Sequence, residues 1–550
     1  MLNNAYINGR MLIAAFIFVI ACSQLVSGQL SREWVQRYNG PGNSYDIASV
    51  VLSARDNSIV VCGSEVGAGT GTDFVIIKYD RLGNRMWSVS FDGSGSQADQ
   101  VTKAVADDTG NVYVTGFTTL ADGNIAFAVA RILKNGILHW VRILDDQSFS
   151  FGSGTAICIT TSGMIAVAGN MRTTLDNDKI QLALLTPDGN VIEKQIVNDL
   201  PLTRAVDLSP AEEGSFVIAF DAEMGISSTD IAVAKYDANL DRQWLMSFNG
   251  SGGFSADWCA DLITDRTGNS FVCGTLQNSL TSSDYFICKI SPNGQLIWEK
   301  IYSGQYNDIP SSIAIDNAGN SYVTGFSRSG SSIGTEDILT LKIGETGSTV
   351  WSSVYNGNAG GIDGGNSVAV DSKGNVYVGG YSDRGNVQVT FAMLMIDQSG
   401  ALRYFDSYSV AGEPEDFAYS VASADSSVYM TGISIGVDTD YDIATLKYST
   451  TVGIHGQNTG VAADFRLEQN YPNPFNPNTT IPYTLKTSGF VELGISGIDG
   501  RKLFTLENRS VTAGSHEVVF DGGGLPSGIY FCTLKVNGVV IGSRKMTLLK

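Results

Sequence analysis

Aspartate is the residue type in this chain whose placement could do chemistry. Asp46, Asp99, Asp257, Asp308, Asp363 and Asp416 each open a short apolar segment, and Asp73, Asp230, Asp284, Asp337 and Asp442 open another one further along. Carboxylates gathered in this way are hard oxygen ligands, suited to calcium or to a cationic ligand. The first set is therefore the expected ligand face. A competing reading of the same residues is a backbone cap, because a short carboxylate side chain accepts hydrogen bonds from the turn beside it. Asp438-x-Asp440-x-Asp442 has the spacing that opens a calcium loop but lacks its glycine and distal glutamate. Other chemistries are poorly supplied. His139, His455 and His516 lie far apart, so neither an imidazole metal cluster nor a Ser–His–Asp triad is expected. Cys62, Cys158, Cys259, Cys273, Cys288 and Cys532 form no Cys-x-x-Cys pair and read as buried free thiols in strands. No phosphate-binding glycine loop is present. No catalytic residue is assigned, and calcium is the one cofactor the residues allow.

The elements that must hold these aspartates come from an internal repeat. Trp34, Trp87, Trp140, Trp244, Trp298 and Trp351 recur with Glu193 and Tyr404 at the two vacant places, in steps of 51 to 54 residues. Each period holds four short segments rich in Val, Ile, Tyr and Phe and bounded by Gly, Asn and Asp, which is strand chemistry. Asp-x-x-Gly-Asn links the first two segments, as at Asp107–Asn111 and Asp316–Asn320, and predicts a hairpin. Four antiparallel strands per period describe a propeller blade. With the Asp segment innermost and the Trp segment outermost, the last period lacks a fourth strand, and Trp34–Tyr38 is free to supply it. The expectation is an all-β, eight-bladed propeller over residues 29–448, closed by its N-terminal strand. Seven blades is the alternative, reached by dissolving the degenerate repeat at 201–237. Each tryptophan should pack against the next blade, contributing roughly 1.5–3 kcal/mol.

The phrase Asp363…Val368-Ala-Val-Asp-x-x-Gly-Asn-Val-Tyr-Val-Gly-Gly380, with its flanking Asp-x-x-x-x-Lys and Trp…Tyr-Asn-Gly segments, resembles the bacterial beta-propeller repeat family known as SBBP. The resemblance spans roughly residues 31–448 and implies fold more than function.

Residues 1–28 read as a signal peptide, with Arg10 before the apolar run Met11–Cys22 and a small-residue site ending at Gly28. Lipidation at Cys22 is the rival reading. No stretch is long and apolar enough to span a bilayer as a helix. Residues 449–463 read as a linker. Beyond them five of the twelve prolines fall in the last 80 residues, among short alternating runs that suggest an Ig-like sandwich over 464–550. This stretch resembles the C-terminal sorting domain of the type IX secretion system. The resemblance rests on Leu467-Glu-Gln-Asn-Tyr-Pro-Asn-Pro-Phe-Asn-Pro477, Leu525-Pro-Ser-Gly-Ile-Tyr530 and Lys545-Met-Thr-Leu-Leu-Lys550. It implies a Gram-negative cell, export across the outer membrane, contact with that machinery, and release or attachment at the cell surface.

A formal charge of −20, from 35 basic and 55 acidic residues, disfavours nucleic acid as a partner. The step from the second-strand position to the third strand is 10 residues in seven repeats and 12 in the other. Such uniform loops argue for a recognition surface and against an enzyme. The expected function is binding of an extracellular glycan or protein. The alternatives are a structural or adhesive envelope component and, third, a hydrolase or lyase using channel carboxylates.

Overall fold

A computed structural model describes residue 30 onward, apart from residues 55, 145–149, 173–177, 202, 225–228, 252–255, 279–281, 331–333, 358–360, 384–387, 411–414, 425, 437–438, 450–464, 486–487, 498–500 and 537–538. The expected signal peptide with Cys22, the linker beyond residue 449, His455 and Asp438 lie outside the described residues. The described residues form strands and one three-residue 3-10 turn, Glu212–Gly214. The chain is all-β.

Up to Ser449 the strands come in antiparallel quartets, each laid out from an inner to an outer strand in chain order. The first is Ile47–Ser53, Ile59–Val66, Thr72–Tyr79 and Arg85–Phe91. The second and third quartets are joined into one larger sheet by a single parallel pairing, Phe151 with Ile125. The last three strands of the series, Phe417–Ala424, Ser427–Ile435 and Tyr441–Ser449, take their fourth from the N-terminus, where Ser31–Tyr38 pairs with Tyr441–Ser449 and sets Trp34 opposite Lys447. Each innermost strand contacts the next around a ring, and Phe417–Ala424 returns to Ile47–Ser53. The N-terminal strand covers the edge that Tyr441–Ser449 would otherwise expose, which removes a template for aggregation there.

Local chemistry explains the repeated sequence. In the hairpin, Asp107 accepts the backbone N–H groups of Thr109 and Asn111, both at 2.9 Å, while Gly110 takes φ +89°. Asp265, Asp316 and Asp371 accept the N–H four residues on in the same way. The glycine that ends the second-strand motif has a different cause. Every innermost strand carries a bulge against its neighbour, for example between Ala48 and Val50 and between Val101 and Lys103. The bulge drives a carbonyl towards the second strand. A Cβ at Gly63 would lie 1.9 Å from the carbonyl oxygen of Ile47, and one at Gly116 1.9 Å from that of Gln100. A side chain is excluded there.

The tryptophans lie against the next quartet. The Nε1 of Trp87 donates to the carbonyl of Lys134, and those of Trp140, Trp244, Trp298 and Trp351 reach Pro187, Pro292, Glu345 and Gln398. Each ring covers a glycine of that hairpin, so that a Cβ at Gly189 would sit 2.7 Å from the Trp140 ring.

From Phe465 on, two antiparallel sheets share one apolar core containing Leu467, Tyr483, Leu493, Tyr530, Leu534 and Met546. The proline-rich segment is not a ladder strand; it clasps the last strand, Val539–Leu548. Phe475 is buried and its N–H donates to Thr547 O at 2.9 Å, while Asn473 Oδ1 accepts the N–H of Thr547 at 2.8 Å. The N–H of Lys550 reaches Ser527 Oγ at 2.9 Å. Three stretches far apart in sequence thus meet at one side of this unit.

Candidate functional site

The six aspartates of the expected ligand face sit where the innermost strands begin, and all of them are fully buried. Asp46 accepts N–H groups from Gly40 at 2.5 Å and Val66 at 2.8 Å. Asp99 accepts from Gly93 at 2.5 Å and Thr119 at 2.8 Å, and Asp257 from Gly250 and Gln277, each at 2.7 Å. Asp308 accepts from Gly304, Asp363 from Gly357 at 2.7 Å, and Asp416 from Ile435 at 3.1 Å. The donor glycine follows the outer strand of the preceding quartet, whereas the other donor belongs to the aspartate's own quartet. One carboxylate therefore ties two quartets together. Burial pushes these carboxyl groups up against the pull of the backbone donors, Asp46 and Asp416 to about 6.

The second aspartate set is buried as well and faces the first across the quartet junctions. Asp442 lies near Asp46, Asp73 near Asp99, Asp230 near Asp257, Asp284 near Asp308 and Asp337 near Asp363, and the neighbouring charge helps push up Asp46, Asp73, Asp230, Asp308 and Asp363. The two sets are halves of one repeated arrangement. At the closing junction Arg37 offsets the charge: its guanidinium lies 2.9 Å from Asp442 Oδ2 and also donates to Ser434. At the junction of the first and second quartets a third carboxylate, Asp92, joins Asp73 and Asp99.

Inside the ring a second constellation appears that the sequence reading did not single out. Lys103, on the second innermost strand, places Nζ 3.5 Å from Asp207 Oδ1 on the fourth, and Asp207 is hydrogen-bonded to Asp261 on the fifth. Asp261 also accepts the N–H groups of Leu262 at 3.0 Å and Ile313 at 2.9 Å. Burial and the neighbouring Asp207 push the Asp261 carboxyl up, while Asp207 raises the Lys103 ammonium. The group is a hydrogen-bonded acid pair beside a cation, a composition found at sites that bind charged ligands or move protons. These residues stand just after the bulge, where other quartets hold Ser312, Ser367 and Ser420. Those serines accept N–H groups from the next quartet, as Ser367 Oγ does from Val421 at 3.1 Å. The sequence signal is the fourth residue after the clasping aspartate for Lys103 and Asp261, and the fourth after Thr203, which stands in the aspartate's place, for Asp207.

Around the mouth, above the buried aspartates, aromatic side chains reach solvent. Tyr45 is 38 % exposed and packs edge-on to Tyr441 at 5.0 Å between centroids; Tyr419, at the bulge of the last innermost strand, is also 38 % exposed. Tyr441 donates its hydroxyl to Glu415, and Tyr381 and Phe417 stack edge-to-face at 5.3 Å. Elsewhere on the rim Trp258 is 44 % exposed beneath the Arg204 guanidinium, which lies 5.0 Å from its ring. The aromatics at the seam between last and first quartets, with an acid beside them, offer flat apolar faces flanked by hydrogen-bonding groups. Among the other sequence candidates, the six cysteines are buried free thiols and His516 stacks on Tyr483.

Comparison with known proteins agrees with the two resemblances. Residues 297–329 and 353–386 match the beta-propeller repeat family SBBP, and residues 469–547 match the secretion system C-terminal sorting domain. No curated protein matches the chain. Among solved structures, Drosophila Plexin A in complex with Semaphorin 1b is similar over 77% of this chain and 88% of that one, at 8% identity and TM-score 0.37. A polysaccharide lyase is similar over 73% of this chain and 89% of that one, at 8% identity and TM-score 0.38. An ulvan lyase bound to -[GlcA(1-4)Rha3S]- is similar over 76% of this chain and 94% of that one, at 9% identity and TM-score 0.37.

Proposed function

We propose that this chain, which carries beta-propeller repeats and a type IX C-terminal sorting domain, is an extracellular recognition module on or near the outer surface of a Gram-negative cell. In this reading its four-stranded units are the blades of an eight-bladed propeller, the tail is an Ig-like domain that engages the type IX machinery, and the chain is not an enzyme. The ligand is a glycan or a protein taken at the mouth of the ring. The observation that carries the reading is the exposed aromatic seam of Tyr45, Tyr441 and Tyr419 beside Glu415. Aromatic faces pack against the C–H faces of sugars or against apolar side chains, and the acid orients hydroxyl or cationic groups. The clasping aspartates beneath hold this rim in place.

The test is a binding screen of the purified chain against polysaccharides and outer-membrane proteins. A hit should weaken at least about tenfold in Tyr45→Ala and Tyr419→Ala, as expected for losing one well-packed aromatic contact. A hit indifferent to both substitutions moves the site away from the mouth. Absence of any ligand supports a structural or adhesive role instead. A second reading, a hydrolase or lyase, is favoured by Lys103, Asp207 and Asp261 alone. Polysaccharide depolymerisation abolished by Asp261→Asn, with the melting temperature retained, would support it over the first.

A further inference from the structure

The junction between the first and second quartets differs from its counterparts in charge. Carboxylate oxygens of Asp73, Asp92 and Asp99 lie within 4.8 Å of one another. Asp73 opens the third strand of the first quartet, Asp99 opens the innermost strand of the second, and Asp92 stands in the loop between the quartets just before Gly93. The matching loop positions before Gly250, Gly304 and Gly357 hold Asn249, Ser303 and Asn356, which are neutral. Only Asp92 brings a third negative charge to such a place among these.

The protein satisfies the three groups only in part. Asp99 is fully buried and accepts two backbone N–H groups. Asp73 is 6 % exposed; Thr70 donates to its Oδ2, while its Oδ1 is shielded from solvent and has no hydrogen-bond partner. A buried carboxylate oxygen without a donor is costly, and two further carboxylates beside it add repulsion. Among the described residues no cation pairs with the cluster: Asp92 accepts from Ser96 Oγ at 3.2 Å, and the nearby Glu65 adds another negative charge while it bonds Tyr38 and Ser90. At the closing junction, by contrast, Arg37 supplies the positive charge to Asp442. Glycine backbone packs closely against two of the carboxylates. A Cβ at Gly67 would fall 2.2 Å from Asp73 Oδ2, and one at Gly93 2.9 Å from Asp99 Oδ1.

The geometry points to a calcium site formed by Asp73, Asp92 and Asp99 at the junction of the first two quartets. Oxygens bound to one Ca²⁺ at 2.3–2.6 Å lie up to about 5 Å apart, which matches the observed spacing. An all-carboxylate donor set selects a hard cation over zinc or copper. Asp92 is exposed, so water completes the coordination sphere and the ion enters from solvent. The ion does for this junction what the guanidinium does for the closing one. This site is independent of the aromatic rim and stands or falls separately from ligand recognition there.

The test is isothermal titration of the EGTA-treated full chain with calcium, in the presence of excess magnesium. One saturable site with Kd on the order of 0.1–1 mM is expected, the range of extracellular calcium modules. Asp92→Asn installs the residue found at Asn249 and Asn356 and should weaken this site at least tenfold; Asp73→Asn should do the same. Thermal melting provides the control for folding. Saturating calcium should raise the wild-type melting temperature by about 1–2 °C, with no rise in Asp92→Asn, whose calcium-free melting temperature should equal or exceed that of the wild type. Absence of a saturable site in the wild type, or equal calcium affinity in Asp92→Asn, overturns the assignment.

Discussion

Where the second quartet meets the third, Phe127 fills a socket of glycines: a Cβ at Gly154 would fall 2.4 Å from its ring and one at Gly169 2.5 Å. Where the last quartet meets the first, the contact is ionic, with Arg37 held between Asp442 and Ser434 and Asp46 receiving backbone donors from both sides. The third quartet has no clasping aspartate and no tryptophan on its outer strand, where Glu193 stands instead. The Phe127 socket takes over the clasp's task. One junction is locked by an apolar ring beside a backbone pairing, and the other is buried and charged. The difference teaches that the repeat requires two neighbouring quartets to be locked near the mouth but leaves the chemistry of the lock open. Charge is thereby free to be concentrated at particular junctions.

The sharpest way to break the comparison is to remove the apolar lock. Phe127→Ala leaves a cavity among glycines that have no side chains to collapse into it, and should cost about 3–5 kcal/mol, read as a drop in the denaturant midpoint. Removing the ionic lock should cost somewhat less. Arg37→Ala leaves Asp442 beside Asp46 without its cation, a loss of about 2–3 kcal/mol, moderated because Arg37 is partly exposed. A loss in Arg37→Ala larger than in Phe127→Ala would reverse the ranking.

Acidity separates the two locks further. Asp46, Asp73 and Asp416 have carboxyl groups pushed up to about 6 by burial and neighbouring charge, above the ~3.9 of an unfolded chain. Between these values the folded state holds more protons than the unfolded one, so stability falls as pH rises from about 4 to 6 and levels off above. The melting temperature should therefore be higher at pH 5 than at pH 7.5, and Asp46→Asn with Asp416→Asn should flatten the slope. Asp107, Asp265 and Asp316 run the other way. Hydrogen bonds from the hairpin outweigh their partial burial and lower them, so their contribution is lost on acidification below about pH 4. A melting temperature that climbs steadily from pH 5 to 7.5 would refute the junction argument. The smallest effect belongs to the turns common to both regions: Asp107→Ala should cost about 0.5–1.5 kcal/mol and leave ligand binding unchanged.

Much of this was legible in the residues because local causes repeat. The Asp-x-x-Gly-Asn hairpin needs a capping carboxylate and a left-handed glycine within five positions, so its pattern survives in the text. The tryptophan step reflects a ring that covers a glycine one quartet on. The facing of Asp73 with Asp99, or Asp230 with Asp257, was not legible as a pair. The partners belong to different sheets, and only the ring brings them together. Lys103, Asp207 and Asp261 were missed for another reason. They share one place in the repeat, the fourth residue after the strand opening, but each quartet fills it differently. Variation at an otherwise regular position leaves no pattern for spacing to reveal.

The strand Ser31–Tyr38 carries one more consequence. Its partner, Tyr441–Ser449, emerges roughly four hundred residues later in synthesis. Contacts so distant along the chain form late and slowly. The N-terminal strand must therefore wait, unpaired, for the last, and a chain cut short anywhere before residue 441 leaves it without a partner. Closure thus depends on length: the ring seals only in molecules that extend through Tyr441–Ser449.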